Sequence, residues 1–208
     1  MTSLVQALLR RYARAEAAAV TPFVAGRTVL DLGAGEGYVG AEVTALTGAR
    51  VCSVDVGAFR RAPGAYVVYD GARLPFADRA FDTTLALLTL HHCAAPAAVL
   101  DEAIRVTRRR LVVTESVYRS RTERGWLDLL DGRLNGYRHG GRMSAALAFG
   151  RPEEWLAFFA ARGLRVAAMR WIGWRLERLV HHPLLFALDV NVTACLGERP
   201  DGPPCRAG

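Results

Sequence analysis

Val29-Leu30-Asp31-Leu32-Gly33-Ala34-Gly35-Glu36-Gly37-Tyr38 is an apolar run that breaks into three glycines spaced two apart. The run to Leu32 predicts a buried strand, and Tyr38 to Leu46 predicts the helix that the glycine turn opens. Glycine tolerates positive φ and places no side chain between backbone and ligand, so a bulky molecule can lie against such a turn. Asp55 closes the next apolar run, 22 residues beyond Gly33. An acidic group there can accept hydrogen bonds from both hydroxyls of a ribose. Turn and carboxylate together point to a nucleotide-like cofactor, with the glycines alone leaving NAD and S-adenosylmethionine both open.

Working outward, Val51–Val54, Tyr66–Tyr69, Thr83–Leu88 and Leu111–Glu115 read as further strands, with a weak turn around Phe59 and a helix over Pro96–Thr107 between them. Strands that are nearly all apolar and alternate with helices are the pattern of a parallel sheet covered on both faces. Upstream, Leu4, Leu8, Leu9 and Tyr12 recur at helical spacing before an alanine-rich stretch, predicting an N-terminal helix over 1–21 ended by Pro22. Downstream, a charge- and glycine-rich insertion over 117–150 contains a predicted helix Thr122–Leu134 and a loop from Asn135 to Arg142. Pro152 suits the first position of a helix carrying Trp155, Leu156, Phe158 and Phe159 and ended by Gly163. Leu164–Trp171 and Leu184–Leu196 then supply two last strands as an antiparallel hairpin, His181-His182-Pro183 turns into the second, and the Pro- and Gly-rich tail Glu198–Gly208 frays. The expected fold is α/β, a Rossmann-like doubly wound sheet, mostly parallel, in one domain over 1–208 with a core at 28–116, the insertion at 117–150 and the last helix and strands at 151–197.

At 208 residues the chain suits one domain. No apolar run approaches the ~20 residues of a membrane helix, and no signal-peptide pattern opens the chain, so the protein is expected to be cytoplasmic. Cys52, Cys93, Cys195 and Cys205 lack zinc-site spacing, which predicts free thiols and no metal. The net charge of +7 is carried entirely by arginine, since the chain has no lysine. With its many alanines, that bias points to a GC-rich bacterial genome. The arginines are scattered, without a dense run interleaved with aromatics, so a nucleic-acid partner is not favoured.

The spacing Asp31-x-Gly33-x-Gly35-x-Gly37 resembles motif I of class I S-adenosylmethionine-dependent methyltransferases rather than the G-x-G-x-x-G that suits a pyrophosphate. Asp70-Gly71-Ala72-Arg73-Leu74-Pro75-Phe76-Ala77-Asp78-Arg79-Ala80-Phe81-Asp82 is similar to the D-A-x-x-L-P-F-x-D-x-x-F-D stretch of the type 11 family, and Leu90-His91-His92 to the L-H-H after its fourth strand. Pro152–Gly163 more loosely resembles the family's P-x-E-W-x-x-x-F-x-x-x-G-L helix. The resemblance implies S-adenosyl-L-methionine as cofactor, with S-adenosyl-L-homocysteine as product. It implies a cofactor site of Asp31, Gly33, Ala34, Gly35 and Gly37, with Asp55 and Val56 at the ribose. Asp70 would meet the adenine amino group, Gly71 and Ala72 would close over the ring, and Leu87 and Leu88 would line the methionine arm. Two departures stand out: Val106-Thr107-Arg108-Arg109-Arg110 replaces the family's Leu-Lys-Pro-Gly-Gly turn, and Leu87 and Leu88 replace residues that are often polar. The Asn/Asp-Pro-Pro-Tyr motif of nucleobase amino-group methylation is absent.

Methyl transfer is an in-line displacement in which alignment dominates, so any general base varies between relatives. The candidates are His139 in the loop Tyr137–Arg142, His92 with its neighbour His91 after the fourth strand, and Glu115 at the end of the fifth. Each has a plain alternative as a loop, capping or packing residue. Tyr12 on the N-terminal helix could close over the methionine carboxylate, with Arg10 or Arg11 to pair with it, though a tyrosine on such a helix is more often a core residue. Trp126, Trp155, Trp171 and Trp174 suit packing better than an aromatic cage. The leading expectation is methylation of a small-molecule acceptor at oxygen, carbon or nitrogen in a pocket under the insertion, where Arg133, Arg138 and Arg142 suit an anionic or aromatic substrate. An RNA or protein methyltransferase, or a non-catalytic S-adenosylmethionine-binding partner subunit, are the alternatives.

Overall fold

A computed structural model describes residues 3–138, 149–173 and 183–190. Seven strands form one sheet: β1 (Thr28–Leu32), β2 (Arg50–Asp55), β3 (Ala65–Val68), β4 (Phe81–Leu87), β5 (Thr107–Ser116), β6 (Arg165–Trp171) and β7 (Pro183–Asp189). They lie in the order β3-β2-β1-β4-β5-β7-β6. The first five run parallel, and β7 is antiparallel to both β5 and β6. The helices are α1 (Ser3–Val20), α2 (Tyr38–Thr47), α3 (Pro96–Val106), α4 (Arg121–Arg138) and α5 (Pro152–Ala160).

The two-residue period of the strands sorts side chains onto two buried faces. Leu30, Leu32, Ala86, Leu111, Val113, Leu184, Phe186 and Leu188 join Leu100 and Ala103 of α3 and Trp155 and Phe159 of α5 in one core. Val29, Leu85, Val112, Leu185 and Ala187 join Ala17 and Val20 of α1 and Val43 of α2 in the other. Helices on both faces make the sheet doubly wound, as expected. A smaller cluster of Tyr118, Leu127 and Phe149 ties α4 to the carboxyl ends of the strands.

Several boundaries differ from the sequence reading. β2 and β3 are joined without a helix around Phe59, where a weak turn was expected. β5 begins at Thr107 directly after α3, so Arg108-Arg109-Arg110 is strand and not a rebuilt turn. Its arginines are matched by carboxylates: Arg108 and Arg109 approach Asp82 at 3.4 and 3.8 Å, and Arg110 approaches Asp189 at 2.8 Å. Leu88 leaves β4 with φ +52°. α4 runs to Arg138, past Leu134, because Asn135 and Gly136 continue the helix instead of opening a loop. β7 stops at Asp189; residues 191–208 lie outside the described residues, as do 174–182 with Trp174, His181 and His182. Trp155 packs in the core as expected, whereas Trp126 and Trp171 are exposed.

The second Asp of the L-P-F-x-D-x-x-F-D stretch is structural. Asp82 Oδ2 accepts hydrogen bonds from the Arg27 and Thr28 amides at 3.0 and 3.2 Å and from Thr28 Oγ1 at 2.9 Å, fastening the start of β1 to β4. These donors hold its carboxyl down to about 2. Arg105 of α3 grips the same stretch from the other side, donating to the Leu74 and Phe76 carbonyls and to Asp78, while its neighbour Glu102 accepts from the Leu74 amide. The segment after β3 is thereby held against α3.

Among the described residues no helix is long and apolar enough to cross a membrane, and no cluster of three or more His, Cys, Asp or Glu could hold a metal ion.

Candidate active site

The turn after β1 lies at the carboxyl end of the sheet, where β1 is flanked by β2 and β4. Gly33, Gly35 and Gly37 all have positive φ, +72°, +54° and +80°, yet they differ in what they face. A Cβ on Gly33 would lie 2.4 Å from the Thr89 side chain, and one on Gly37 would pack against Ala62 at 3.7 Å. A Cβ on Gly35 would meet nothing within 4 Å. Gly33 therefore lets the turn close against β4, Gly37 caps α2, and Gly35 alone presents bare backbone to open space. The Gly33 and Ala34 amides both donate to the Val54 carbonyl, at 2.9 and 3.2 Å, which draws the turn to the end of β2.

Asp55 ends β2 beside that opening and is 6% exposed. Its Oδ2 accepts from the Gly35 amide at 2.8 Å and its Oδ1 from the Val56 amide at 2.7 Å, so both oxygens are anchored at the lip of the turn. Tyr66 of β3 braces the same place, its Oη 3.0 Å from both the Gly35 and Gly57 carbonyl oxygens. Burial and the nearby carboxylates raise the Tyr66 hydroxyl to about 12, so it stays a donor. Val56 extends into solvent next to Gly71, and the exposed Asp70 Oδ1 accepts from the Ala72 and Arg73 amides at 2.8 and 3.1 Å. These bonds lower the Asp70 carboxyl and fix the Asp70–Arg73 turn beside the end of β2.

Asp31 faces elsewhere. It is 2% exposed, turned under α2, with Ser53 Oγ donating to its Oδ2 at 3.4 Å and the Gly40 amide also bonding to it. Burial raises its carboxyl to about 7, against the lowering effect of those bonds. A Cβ on Gly40 would come within 2.8 Å of Asp31 Oδ2, so that glycine is needed for α2 to lie this close. Asp31 thus shapes the turn from beneath, away from the opening that Gly35 and Asp55 share.

Across the cleft, Leu87 and Leu88 end β4. The unusual φ of Leu88 is held by its amide, which donates to the Thr114 carbonyl at 2.8 Å and to Thr114 Oγ1 at 3.2 Å. A 3-10 turn, Leu90–His92, follows. Here the structure makes a pairing that sequence separation hid: Glu115, fully buried, bonds His91 Nδ1 through Oε2 and accepts from the Leu90 amide through Oε1 at 2.9 Å. His91 is itself 1% exposed and stacks on Phe149, with the His92 ring 4.2 Å away on centroids. Glu115 partners His91, not His92. His139 and Arg142 lie outside the described residues, as do the side chains of Arg133 and Arg138.

On the α1 side, Arg10 lies over the Tyr38 ring at 5.7 Å, next to the start of α2, while Tyr12 lines a cavity with Glu16. Sequence reasoning missed Glu16, although it is the one acidic residue in the alanine-rich helix and falls one turn after Tyr12.

A family model described as a methyltransferase domain, of type 11, matches residues 30–111. The demethylmenaquinone methyltransferase of Beutenbergia cavernae is 41% identical over 99 residues, 43% of this chain and 41% of that protein. An uncharacterised methyltransferase of Mycobacterium tuberculosis is 33% identical over 165 residues, 69% of this chain and 61% of its own length. The chain therefore spans about two fifths to three fifths of these curated relatives. A solved S-adenosylmethionine-dependent methyltransferase from Aquifex aeolicus shares the fold, with a TM-score of 0.61 over 87% of this chain and 93% of that one at 15% identity. The matched segment contains the glycine turn, Asp55, Asp70 and the ends of β1, β2 and β4, the same residues that build the cleft. The chain belongs to the class I S-adenosylmethionine-dependent methyltransferases of type 11.

Proposed function

We propose that the protein transfers a methyl group from S-adenosyl-L-methionine to a small-molecule acceptor, at oxygen, carbon or nitrogen. The observation that carries this reading is the Asp55 carboxylate, fastened at the lip of the open Gly35 backbone. An anchored anion beside bare backbone fits a ribose whose hydroxyls donate while its adenosine lies flat on the turn. The neighbouring groups fit the rest: Val56 offers an apolar face, the Asp70–Ala72 turn suits the adenine edge, and Leu87 and Leu88 form a wall for the methionine arm. When bound, the sulfonium supplies an electrophilic methyl group.

The chain's own part is alignment and dryness. Near-attack positioning can contribute on the order of 7–11 kcal/mol, and the bonds from the turn to Val54, Asp55 and Tyr66 hold the backbone on which the cofactor would be aligned. Glu115 acts as a positioning residue, fixing the His91 ring at the carboxyl ends of β4 and β5. His92 and His139 are the groups proposed to take a proton from an acceptor that arrives protonated.

Calorimetry tests the reading. The intact protein should bind S-adenosyl-L-methionine, and Asp55→Ala should weaken binding at least about a hundredfold, since the two ribose hydroxyls each lose a hydrogen bond to a charged group worth roughly 1.5–3 kcal/mol. Absence of binding by the intact protein would sink the proposal.

A further inference from the structure

Gly35, Glu36 and Gly37 of the glycine turn are each contacted by β3 or by the stretch between β2 and β3, which has no helix of its own. The Glu36 carbonyl accepts from the Arg61 and Ala62 amides at 3.0 and 2.9 Å, and buried Ala62 packs where Gly37 lacks a Cβ. Those contacts use main chain or a methyl group, which many residue types supply. The contact at Gly35 needs a long side chain tipped with a hydroxyl, and it comes from Tyr66 of β3. Tyr66 Oη lies 3.0 Å from the carbonyl oxygens of both Gly35 and Gly57, and the Phe59 amide bonds to the same hydroxyl. The Phe59 amide also donates to the Gly57 carbonyl at 2.9 Å, and the Phe59 ring covers Gly57, where a Cβ would come within 2.4 Å of it. One hydroxyl thus ties the turn after β1 to the segment that follows Asp55.

Both polar groups of Gly35 are therefore engaged within the protein: its amide donates to Asp55 Oδ2 at 2.8 Å, and its carbonyl accepts from Tyr66. Its remaining face, where a Cβ would meet nothing within 4 Å, is the surface proposed to receive the adenosine. We propose that Tyr66 is the positioning residue of this site, its hydroxyl holding the Gly35 peptide and the Val56–Gly57 segment in one arrangement around Asp55 before the cofactor arrives. This rests on the methyltransferase reading above and adds to it the residue that sets donor affinity. A site already in its bound arrangement loses less conformational freedom when the ligand enters. The neutral hydrogen bond that maintains the arrangement corresponds to a factor of about ten in affinity. Tyr66 works through Gly35 and Asp55, so it bears equally on S-adenosyl-L-methionine and S-adenosyl-L-homocysteine, which share the adenosine.

The test uses the full chain with two readouts, amide hydrogen exchange without cofactor and calorimetry with it. In the cofactor-free wild type the Gly35 amide should already be protected, and saturating S-adenosyl-L-homocysteine should slow its exchange by less than about tenfold more. Tyr66→Phe keeps the ring and removes the hydroxyl; it should speed Gly35 exchange at least about tenfold while the amides of buried Leu30 and Val112 exchange as before. Affinity for S-adenosyl-L-methionine and for S-adenosyl-L-homocysteine should fall about tenfold, by the same factor for both. Because Tyr66 acts through Asp55, the losses should not add: on an Asp55→Asn background Tyr66→Phe should cost less than about threefold. A Gly35 amide that exchanges like an unstructured one in the cofactor-free wild type overturns the inference, whether or not the variant folds. So does a Tyr66→Phe chain in which all amides lose protection together, or whose loss of affinity adds fully to that of Asp55→Asn. A wild type that binds no cofactor overturns the methyltransferase reading and this inference with it. A wild type that binds, beside a Tyr66→Phe chain that binds as tightly, overturns the inference alone.

Discussion

Replacing Asp31 with asparagine should change how stability depends on pH, and by a predictable amount. The carboxyl is enclosed under α2 and raised from 3.8 to about 7, chiefly by burial. A raised carboxyl means that the folded chain prefers the protonated acid. Its contribution is fully present below pH 3.8 and is lost as pH rises through 7. At ~1.36 kcal/mol per pH unit, the interval from 3.8 to about 7 corresponds to about 4 kcal/mol. Asparagine keeps the shape and an oxygen to accept from Ser53 and Gly40, but it cannot ionise. Relative to the wild type, Asp31→Asn should therefore gain up to about 4 kcal/mol between pH 4 and pH 8.5. Urea unfolding at four pH values across that range, comparing midpoints and slopes of the two proteins, measures the difference directly. A stability difference that stays flat with pH would show that Asp31 does not ionise in a buried site, and the account of the turn's underside would fail with it.

Two further outcomes follow from the same contacts. Asp82→Ala should destabilise the fold by roughly 2–4 kcal/mol, because it strands the amides of Arg27 and Thr28. The carboxyl is held down to about 2, so its contribution is present above pH 3.8 and lost as pH falls through 2; the wild-type and variant curves should converge in acid. Gly33→Ala should fail to fold or lose several kcal/mol, having Thr89 2.4 Å from the new Cβ, whereas Gly35→Ala should cost only the roughly 1–2 kcal/mol of a left-handed residue. Thermal denaturation separates the two glycines, and calorimetry should show Gly35→Ala folded but at least tenfold weaker for the cofactor.

That both faces of the sheet are covered was legible because the central strands are nearly all apolar: Val29 and Leu30 are adjacent, and each meets a different helix layer. The glycine turn was legible as a nucleotide site, but the three glycines look identical in sequence and only the packing separates Gly35 from Gly33 and Gly37. The resemblance placed Asp31 in the cofactor site together with Asp55, yet one lies under α2 and the other at the opening, since the period of two sends Asp31 to the α2 face. Arg108–Arg110 was expected in a turn because it stands where the family has Leu-Lys-Pro-Gly-Gly; carboxylates supplied by β4 and β7 let the arginines stand in a strand instead. The Glu115–His91 contact joins the ends of two strands 24 residues apart in the chain, a distance over which local pattern carries nothing. Glu16 left one trace, an acid in an alanine helix, and the cavity it lines draws other walls from Gly173 and Pro183 far downstream.

The sheet order also dictates when the molecule can be finished. β6 meets the sheet only through β7, which the ribosome makes later. Until Pro183–Asp189 has emerged, the outer edge of β5 from Leu111 to Ser116, buried at every position in the finished fold, stands open to any passing strand. The sheet is thus closed by a later-made strand that slots between two earlier ones, and a chain interrupted after Trp171 carries a sticky edge and a strand that has nowhere to bind.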